Sequence, residues 1–583
     1  MRIKTFDIIK AIAIIAVVLY HIGVSTYGYL GVDTFLVVAG YFTAISLQKR
    51  KLSNWGGYFS FVTNRVFRLW PLMLVAGTVS LAYGYFFMLP DDFENTAQSV
   101  IASNLFANNI LQAITTKNYW DVINEFKPLM HTWYVGVLVQ FYLVIPLVLL
   151  FIQRAITEES KTRKITILVI SIISLISLLL YLFSEGIADK FYYLPFRLFE
   201  FGCGMLIVYT SDTEKDLRKN IIYLDVAFAI GIIILLSLFF INSDVVNSNT
   251  KLIITVCITS MLLWLIPRTS ISKNIIFSNK YIALIGASSY SIFVWHQIVF
   301  AFARYSISCN LTSAPLLMII FAIITILCVL SYKYIESLKP SKTVWWTLFA
   351  LFTVTMGYSM YLYSRAGVVR DIPELNVKMD NVHRGMWAEY CDRGYKYDRD
   401  FSSNERPKWY VIGNSFGRDF VNIVAESSIA DSVDIVYSDP KSFVYHSERF
   451  QKADLVILSW LGLTDKNVSE IQSYCPQGCR IIIIGEKNFG ENNGQIYCQR
   501  FRKDYHKLTI EMEKGYAQRN KQHRAAYAGM FVDLISLVQQ PDGRVKVFTD
   551  DCRFISQDCR HLTKAGAQYY AKLIDWDFFL NPK

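Results

Sequence analysis

The amino-acid sequence predicts two parts of different class. The first is an all-α, membrane-spanning domain of about ten helices plus one linking helix, and the second is an α/β domain built on a parallel sheet. Three observations carry this expectation. Hydrophobic residues make up 53% of the 583-residue chain and the mean hydropathy is +0.31, too apolar for this length unless many segments sit in lipid. The apolar character is uneven: it fills residues 8 to about 364 and then drops. Beyond that point short apolar runs alternate with longer amphipathic segments, the change of period that separates strands from helices.

Candidate spans lie near 8–25, 29–47, 72–89, 134–152, 165–183, 194–210, 221–241, 252–266, 282–303, 314–334 and 344–363, about eleven in all. The first lacks a small-residue cleavage site and runs straight into the second, so it reads as a retained span and not as a leader. The net charge of +11 points to membrane loops and not to nucleic acid, because the cations cluster between apolar segments. One set of loops holds Arg2 and Lys4; Lys49, Arg50, Lys51, Arg65 and Arg68; Arg154, Lys161, Arg163 and Lys164; Lys215, Arg218 and Lys219; Arg268, Lys273 and Lys280; and Lys333, Lys339 and Lys342. The opposite loops hold Lys117, Lys127, Lys190, Lys251 and a few at span ends. The positive-inside rule then places the N-terminus in the cytoplasm. An odd number of spans places the chain after about residue 365 outside.

Ionisable residues inside apolar segments are costly and mark function by default. Lys10 and His21 lie eleven residues apart in the first span. At about 100° per residue that is three turns plus roughly 20°, so both occupy one helix face, roughly 16 Å apart along the axis. A cation low and an imidazole high on one face suit a path across the bilayer. An equally simple reading has Lys10 snorkelling to one interface and His21 capping the other end. Arg65 and Arg68, at i and i+3, share a face and are able to bind phosphates bidentately, or to serve as ordinary loop anchors. Arg197 and Glu200, also at i and i+3, are expected to pair as a structural ion pair. His131 stands at the outer end of its span and reads as an interface residue. His296 stands mid-span, where a histidine bonded to a neighbour is the common outcome, and takes a supporting role at most.

In the last third, residues 409–413, 433–438, 453–459, 480–485 and 529–534 are short apolar runs bounded by turn signals. Amphipathic stretches at 415–428 and 500–520 lie between them. Near-continuous apolar strands with crossover helices indicate a parallel sheet covered on both faces, and sites in such sheets lie at the carboxyl ends of strands. The first strand runs straight into Gly413-Asn414-Ser415, with Ser415 opening a helix whose N–H groups and dipole favour a developing oxyanion. Asp558 stands three residues before His561, after the last strand. A carboxylate so placed orients an imidazole and leaves its other nitrogen for a serine. Six of the ten cysteines lie here, Cys391, Cys475, Cys479, Cys498, Cys552 and Cys559, and an even set in a non-cytosolic domain suggests disulfides. No second pair matches Cys475 and Cys479 at metal-ligand spacing, so no metal site is expected. Cys203, Cys257 and Cys328 read as small residues of the apolar core, and Cys309 sits at a span end.

The stretch from Lys10 through His21 to G-V-D-T-F-L-V-V-A-G (residues 31–40) resembles the start of the membrane acyltransferase family 3. The segment M-H-T-W-Y-V-G-V-L-V-Q-F-Y-L (130–143) is similar to that family's H-x-W-S-L-x-V-E-E-Q-F-Y, with Leu138 and Val139 where the glutamates usually stand. G-A-S-S-Y-S-I-F-V-W-H-Q (286–297) resembles a further motif of the same family. The pair G-N-S and D-x-x-H resembles an SGNH hydrolase. Here Asn414 replaces the usual aspartate, no clear oxyanion glycine follows the second strand, and Trp460 and Gly462 stand where an asparagine is usual. The resemblance implies domains at 1–340 (transmembrane acyltransferase), 341–364 (additional span), 365–406 (extracytoplasmic linker) and 407–583 (SGNH-like). It implies acetyl-CoA as acyl donor on the cytoplasmic side, with Arg65 and Arg68 on its phosphates and Lys10 and His21 at its thioester. It further implies transfer through Ser415, His561 and Asp558 to hydroxyls of a surface polysaccharide, lipopolysaccharide O-antigen first and peptidoglycan second. A membrane-anchored esterase and a transporter with an appended binding domain are the readings from other classes.

Overall fold

The computed structural model describes residues 4–50, 52, 54–116, 124–156, 158–211, 221–241, 246–269, 279–307, 311–380, 390–402 and 405–581. The loop cations Arg2, Lys51, Lys117, Lys215, Arg218, Lys219 and Lys273, together with Cys309, lie outside the described residues. The chain forms two compact units: residues 1–86 with 95–361, and residues 87–94 with 362–583.

The first unit is helical. Its principal helices are α1 (Lys4–His21), α2 (Gly31–Arg50), α3 (Trp55–Phe87), α4 (Pro90–Asn104), α5 (Trp133–Ala155), α6 (Glu159–Phe183), α7 (Leu198–Thr210), α8 (Ile221–Phe240), α9 (Ser248–Leu265), α10 (Lys280–Ala287), α11 (Ser289–Ser306), α12 (Ala314–Leu330) and α13 (Lys342–Ser364). Each of the eleven apolar segments is helical, but not each is a span by length and composition. Among the described residues seven helices qualify, or eight if α10 and α11, bent by 68° at their junction, form one broken span. Three expected spans fall short for separate reasons. Helix α1 carries Lys4, Asp7 and Lys10, α7 has only 13 residues, and α13 is diluted by Trp, Thr, Ser and Tyr.

Helices α2 and α7 touch backbone to backbone. A Cβ at Gly40 would lie 2.0 Å from the Phe201 carbonyl oxygen, and one at Gly204 would lie 2.0 Å from that of Val37. Small residues allow this approach in lipid, where packing and not water exclusion holds helices together. Beside this contact the Arg197 guanidinium bonds Glu200 at 2.8 Å, as the spacing predicts, and also Asp33 at 2.6 Å. Three charged groups buried in an apolar bundle are tolerated because each is paired.

The second unit carries a five-stranded sheet in the order β2-β1-β3-β4-β6, formed by β1 (Lys408–Ile412), β2 (Asp434–Ser438), β3 (Leu455–Leu458), β4 (Arg480–Ile484) and β6 (Phe531–Val532). Every pairing in it is parallel. A second sheet pairs β5 (Thr509–Ile510) with β7 (Val545–Lys546). Period-two alternation divides the central strands between two cores. Trp409, Val411, Leu455 and Ile457 face one core, which α14 (Ser415–Ala425) and α17 (Lys564–Leu573) complete. Tyr410, Ile412, Val456 and Leu458 face the other, which α15 (Asp465–Tyr474) covers.

Three expectations change here. The stretch 500–520 is mostly irregular. Its helix, α16 (Tyr516–Ala526), begins only after Gly515, whose φ of +94° suits a residue without a Cβ. The stretch expected as a linker contributes Val368, Ile372 and Val377 to the first core, so apolar residues spaced among its charges dock it. The six cysteines of this unit are free thiols. Cys391 and Cys559 are buried and act as core residues, and burial raises both thiols well above the usual cysteine range.

Candidate active sites

In the first unit a cavity of about 150 Å³ is lined by Lys10, Arg65, Arg68, Tyr134, Tyr290 and Phe293, among others. It brings together three cations taken from α1 and α3. Lys10 is steadied by Asp7 at 2.6 Å. The Arg65 guanidinium lies over the rings of Phe61 and Tyr142, at 5.2 and 5.4 Å, a contact that fixes a planar cation. Phe293 forms one wall of the cavity. Behind it stand His131 and His296, with ring centroids 5.1 and 5.8 Å from the phenyl ring.

His21 joins them. Its ring centroid is 5.1 Å from that of His296, which is in turn 5.3 Å from that of His131. The cluster therefore draws on α1, α11 and the turn before α5. His131 Nε2 lies 3.1 Å from the Val294 carbonyl and His296 Nδ1 lies 3.1 Å from the Ile292 carbonyl. A carbonyl oxygen only accepts, so each of these nitrogens carries a proton. In the neutral rings His131 Nδ1 and His296 Nε2 then hold lone pairs, and both are buried without a hydrogen-bond partner among the described residues. The main-chain oxygen of His21 accepts from Arg304 at 2.6 Å. Of this cluster sequence reasoning singled out His21 alone. His131 and His296 each look ordinary within their own segments, and only helix packing makes them one group. Lys10 and His21 do share a helix, with Lys10 at the cavity and His21 in the cluster.

In the second unit Ser415 is the first residue of α14, and Asn414 caps the helix by accepting from the Phe416 N–H at 3.0 Å. Gly413 is required at the strand end, since a Cβ there would lie 2.0 Å from the Ser459 carbonyl oxygen. His561 Nε2 is 2.9 Å from Ser415 Oγ, and His561 Nδ1 is 2.5 Å from Asp558 Oδ2. The other carboxylate oxygen, Oδ1, accepts from the main-chain N–H groups of Arg560 and His561 at 3.0 and 2.7 Å. Burial alone would raise the Asp558 carboxyl. The facing imidazole and these two N–H groups more than offset it and hold the carboxyl at about 2. Asp558 is therefore ionised at neutral pH, as a group that orients an imidazole must be.

One support was missed from sequence. Asp419 Oδ2 accepts from the Leu562 N–H at 3.1 Å and pairs with Lys487 Nζ at 2.8 Å, both side chains being 1% exposed. It fixes the chain beside His561. Its signal was a carboxylate four residues after Ser415, on the same face of the helix. The Gly462 N–H donates to Glu486 Oε1 at 3.2 Å.

Fold and sites together give a helical unit with seven or eight helices long and apolar enough to cross a membrane, among the described residues, and an α/β unit that carries a Ser–His–Asp hydrogen-bonded series. The chain belongs to the acyltransferase domain family, which it matches over residues 3–333. It is 29% identical over 350 residues to a protein named "Putative O-acetyltransferase" of Staphylococcus aureus strain COL, covering 58% of this chain and 57% of that one. It is 26% identical over 347 residues to O-acetyltransferase OatA of Staphylococcus aureus strain NCTC 8325, covering 57% and 56%. The chain thus spans a little over half the length of these relatives. No solved structure matches it.

Proposed function

We propose that this protein is an O-acetyltransferase of the bacterial inner membrane. It takes an acetyl group from acetyl-CoA on the cytoplasmic side and places it on hydroxyls of a surface polysaccharide outside, with lipopolysaccharide O-antigen as the first acceptor and peptidoglycan as the second. The observation that carries the reading is the presence, in one chain of the acyltransferase domain family, of a Ser415–His561–Asp558 hydrogen-bonded series. Lys10, Arg65 and Arg68 around one cavity supply the cationic lining that an anionic, phosphate-bearing donor needs. His21 is the base or relay that frees the acyl group from its thioester, with Lys10 orienting it or stabilising charge below, at the cavity.

In the second unit Ser415 Oγ attacks the arriving acyl carbonyl while His561 Nε2 takes the hydroxyl proton; the bond between the acyl group and its carrier then breaks, and His561 gives that proton to the carrier's departing atom, leaving acyl-serine. Asp558 holds the imidazole in the tautomer that accepts this proton. The acyl-serine is then resolved by a sugar hydroxyl: His561 takes its proton as its oxygen attacks the acyl carbonyl, the acyl–Oγ bond breaks, and His561 returns the proton to Ser415 Oγ. Water in place of the sugar would make the same centre an esterase. Comparison of surface glycans with and without the gene separates the two outcomes: loss of acetyl groups on adding the gene overturns the transferase reading, and gain supports it. The polysaccharide fraction that gains them identifies the acceptor.

Replacing both donor-side arginines, Arg65→Ala with Arg68→Ala, is expected to raise the KM for acetyl-CoA by roughly tenfold to a hundredfold. Each lost charge-assisted bond is worth about 1.5–3 kcal/mol, and kcat should change less. Initial rates of transfer in membrane vesicles at varied acetyl-CoA measure this. An unchanged KM returns the pair to ordinary loop anchoring.

A further inference from the structure

The segment Phe87–Glu94, which joins α3 to α4, belongs to the second unit by its contacts. Met88, Leu89 and Phe93 are buried, Leu89 within the core that backs α14. The Met88 carbonyl accepts from Arg370 at 2.6 Å. At Pro90 the segment lies so close to Gly367 that a Cβ there would be 1.9 Å from the Pro90 carbonyl oxygen.

Two carboxylates of this segment reach the loop that carries the triad. Asp91 Oδ2 accepts from Gln557 Nε2 at 2.8 Å, and Gln557 is the residue before Asp558. Asp92 accepts from Asn492 Nδ2 with both oxygens, at 3.2 and 3.1 Å. The next residue, Asn493, donates through Nδ2 to the carbonyls of Ser556 and Gln557, at 2.6 and 3.2 Å. The loop has reason to need such ties. Cys559, between Asp558 and His561, is held at φ +69°, a left-handed conformation that a residue with a Cβ keeps only when its surroundings enforce it.

We propose that Asp91 and Asp92 are positioning residues of the serine centre, which set the Ser556–His561 loop through Gln557 and through Asn492 and Asn493. This rests on the reading of Ser415 as nucleophile. Each acts through the loop, fixing the carboxylate that fixes the imidazole. The hydrolase-like unit is then completed by eight residues that precede most of the first unit in sequence.

The test uses the full chain in detergent and measures steady-state hydrolysis of 4-nitrophenyl acetate. Asp91→Ala is expected to lower kcat by about tenfold or more with KM within about twofold, because misplacing a catalytic group slows chemistry more than binding. Asp91→Asn should recover most of the rate, since its amide oxygen still accepts from Gln557. Gln557→Ala should match Asp91→Ala, and the double variant should be no slower than the slower single one. If Asp91→Ala does not fold, Gln557→Ala and Asp91→Asn carry the same test. If Ser415→Ala is inactive while Asp91→Ala or Gln557→Ala keeps the wild-type kcat, the positioning role is overturned and the nucleophile stands. If Ser415→Ala still hydrolyses the ester, the nucleophile is wrong and the positioning role falls with it.

Discussion

Ser415→Ala is expected to remove glycan acetylation and, in the same preparation, hydrolysis of a small activated ester, each by about 10⁴-fold or more. An unassisted route has no substitute for the Oγ that His561 Nε2 meets at 2.9 Å, and members of such a series act as a unit. His561→Ala should lose nearly as much. Asp558→Asn should lose somewhat less, because the nucleophile and its base remain while the carboxylate that orients the imidazole is gone. The change is also structurally mild. Ser415 is 3% exposed and opens a helix already capped by Asn414, so deleting one hydroxyl leaves α14 and both cores in place. Glycan acetylation that persists in Ser415→Ala would show that the second unit does not perform the final transfer, and the histidines of the first unit would then have to deliver the acyl group to the acceptor directly.

His21→Ala is expected to lower glycan acetylation by about 10²–10⁴-fold, the usual reach of a positioned acid or base, while ester hydrolysis by the serine centre keeps its wild-type rate. This split separates loss of donor chemistry from loss of fold. The substitution spares the contact between the His21 main-chain oxygen and Arg304, so the end of α1 stays anchored. What disappears is the imidazole beside His296. Measuring both activities on one membrane preparation, with immunoblotting for insertion, decides the matter. Near-normal acetylation by this variant returns His21 to a role as an interface cap.

How far the sequence reached differs between the two units, for physical reasons. In the second unit the serine and the D-x-x-H pair stood at strand ends, and parallel sheets bring their carboxyl ends to one edge. Ser415, Asp558 and His561 accordingly meet as expected. Asp419 and Lys487 were missed because one lies on a helix and the other after β4, and no local pattern joins them. In the first unit Lys10, Arg65 and Arg68 were found separately by charge in apolar surroundings, and a single cavity collects them. His131 and His296 were undervalued because a histidine within one apolar helix gives no hint of what faces it. Eleven apolar segments read as spans, whereas seven helices, or eight with the bent pair, are long and apolar enough among the described residues. The pairing of Asp7 with Lys10 shows α1 to be a charged helix, and α7 is too short to cross unaided. Disulfides were expected from the number of cysteines, but a count says nothing about which thiols meet, and two of the six fill apolar space.

The mixed membership of the second unit bears on how the chain must be made. Residue 94 leaves the ribosome 268 residues before Leu362, the difference between the two positions at which the unit is interrupted. Domains ordinarily fold in order of synthesis, each closing its core as it emerges. Here Leu89 and its neighbours wait with no core to enter while the helices from α5 to α13 are made. The Ser415–His561–Asp558 series therefore forms only after residues 558–561 have been synthesised, long after the segment that supports their loop.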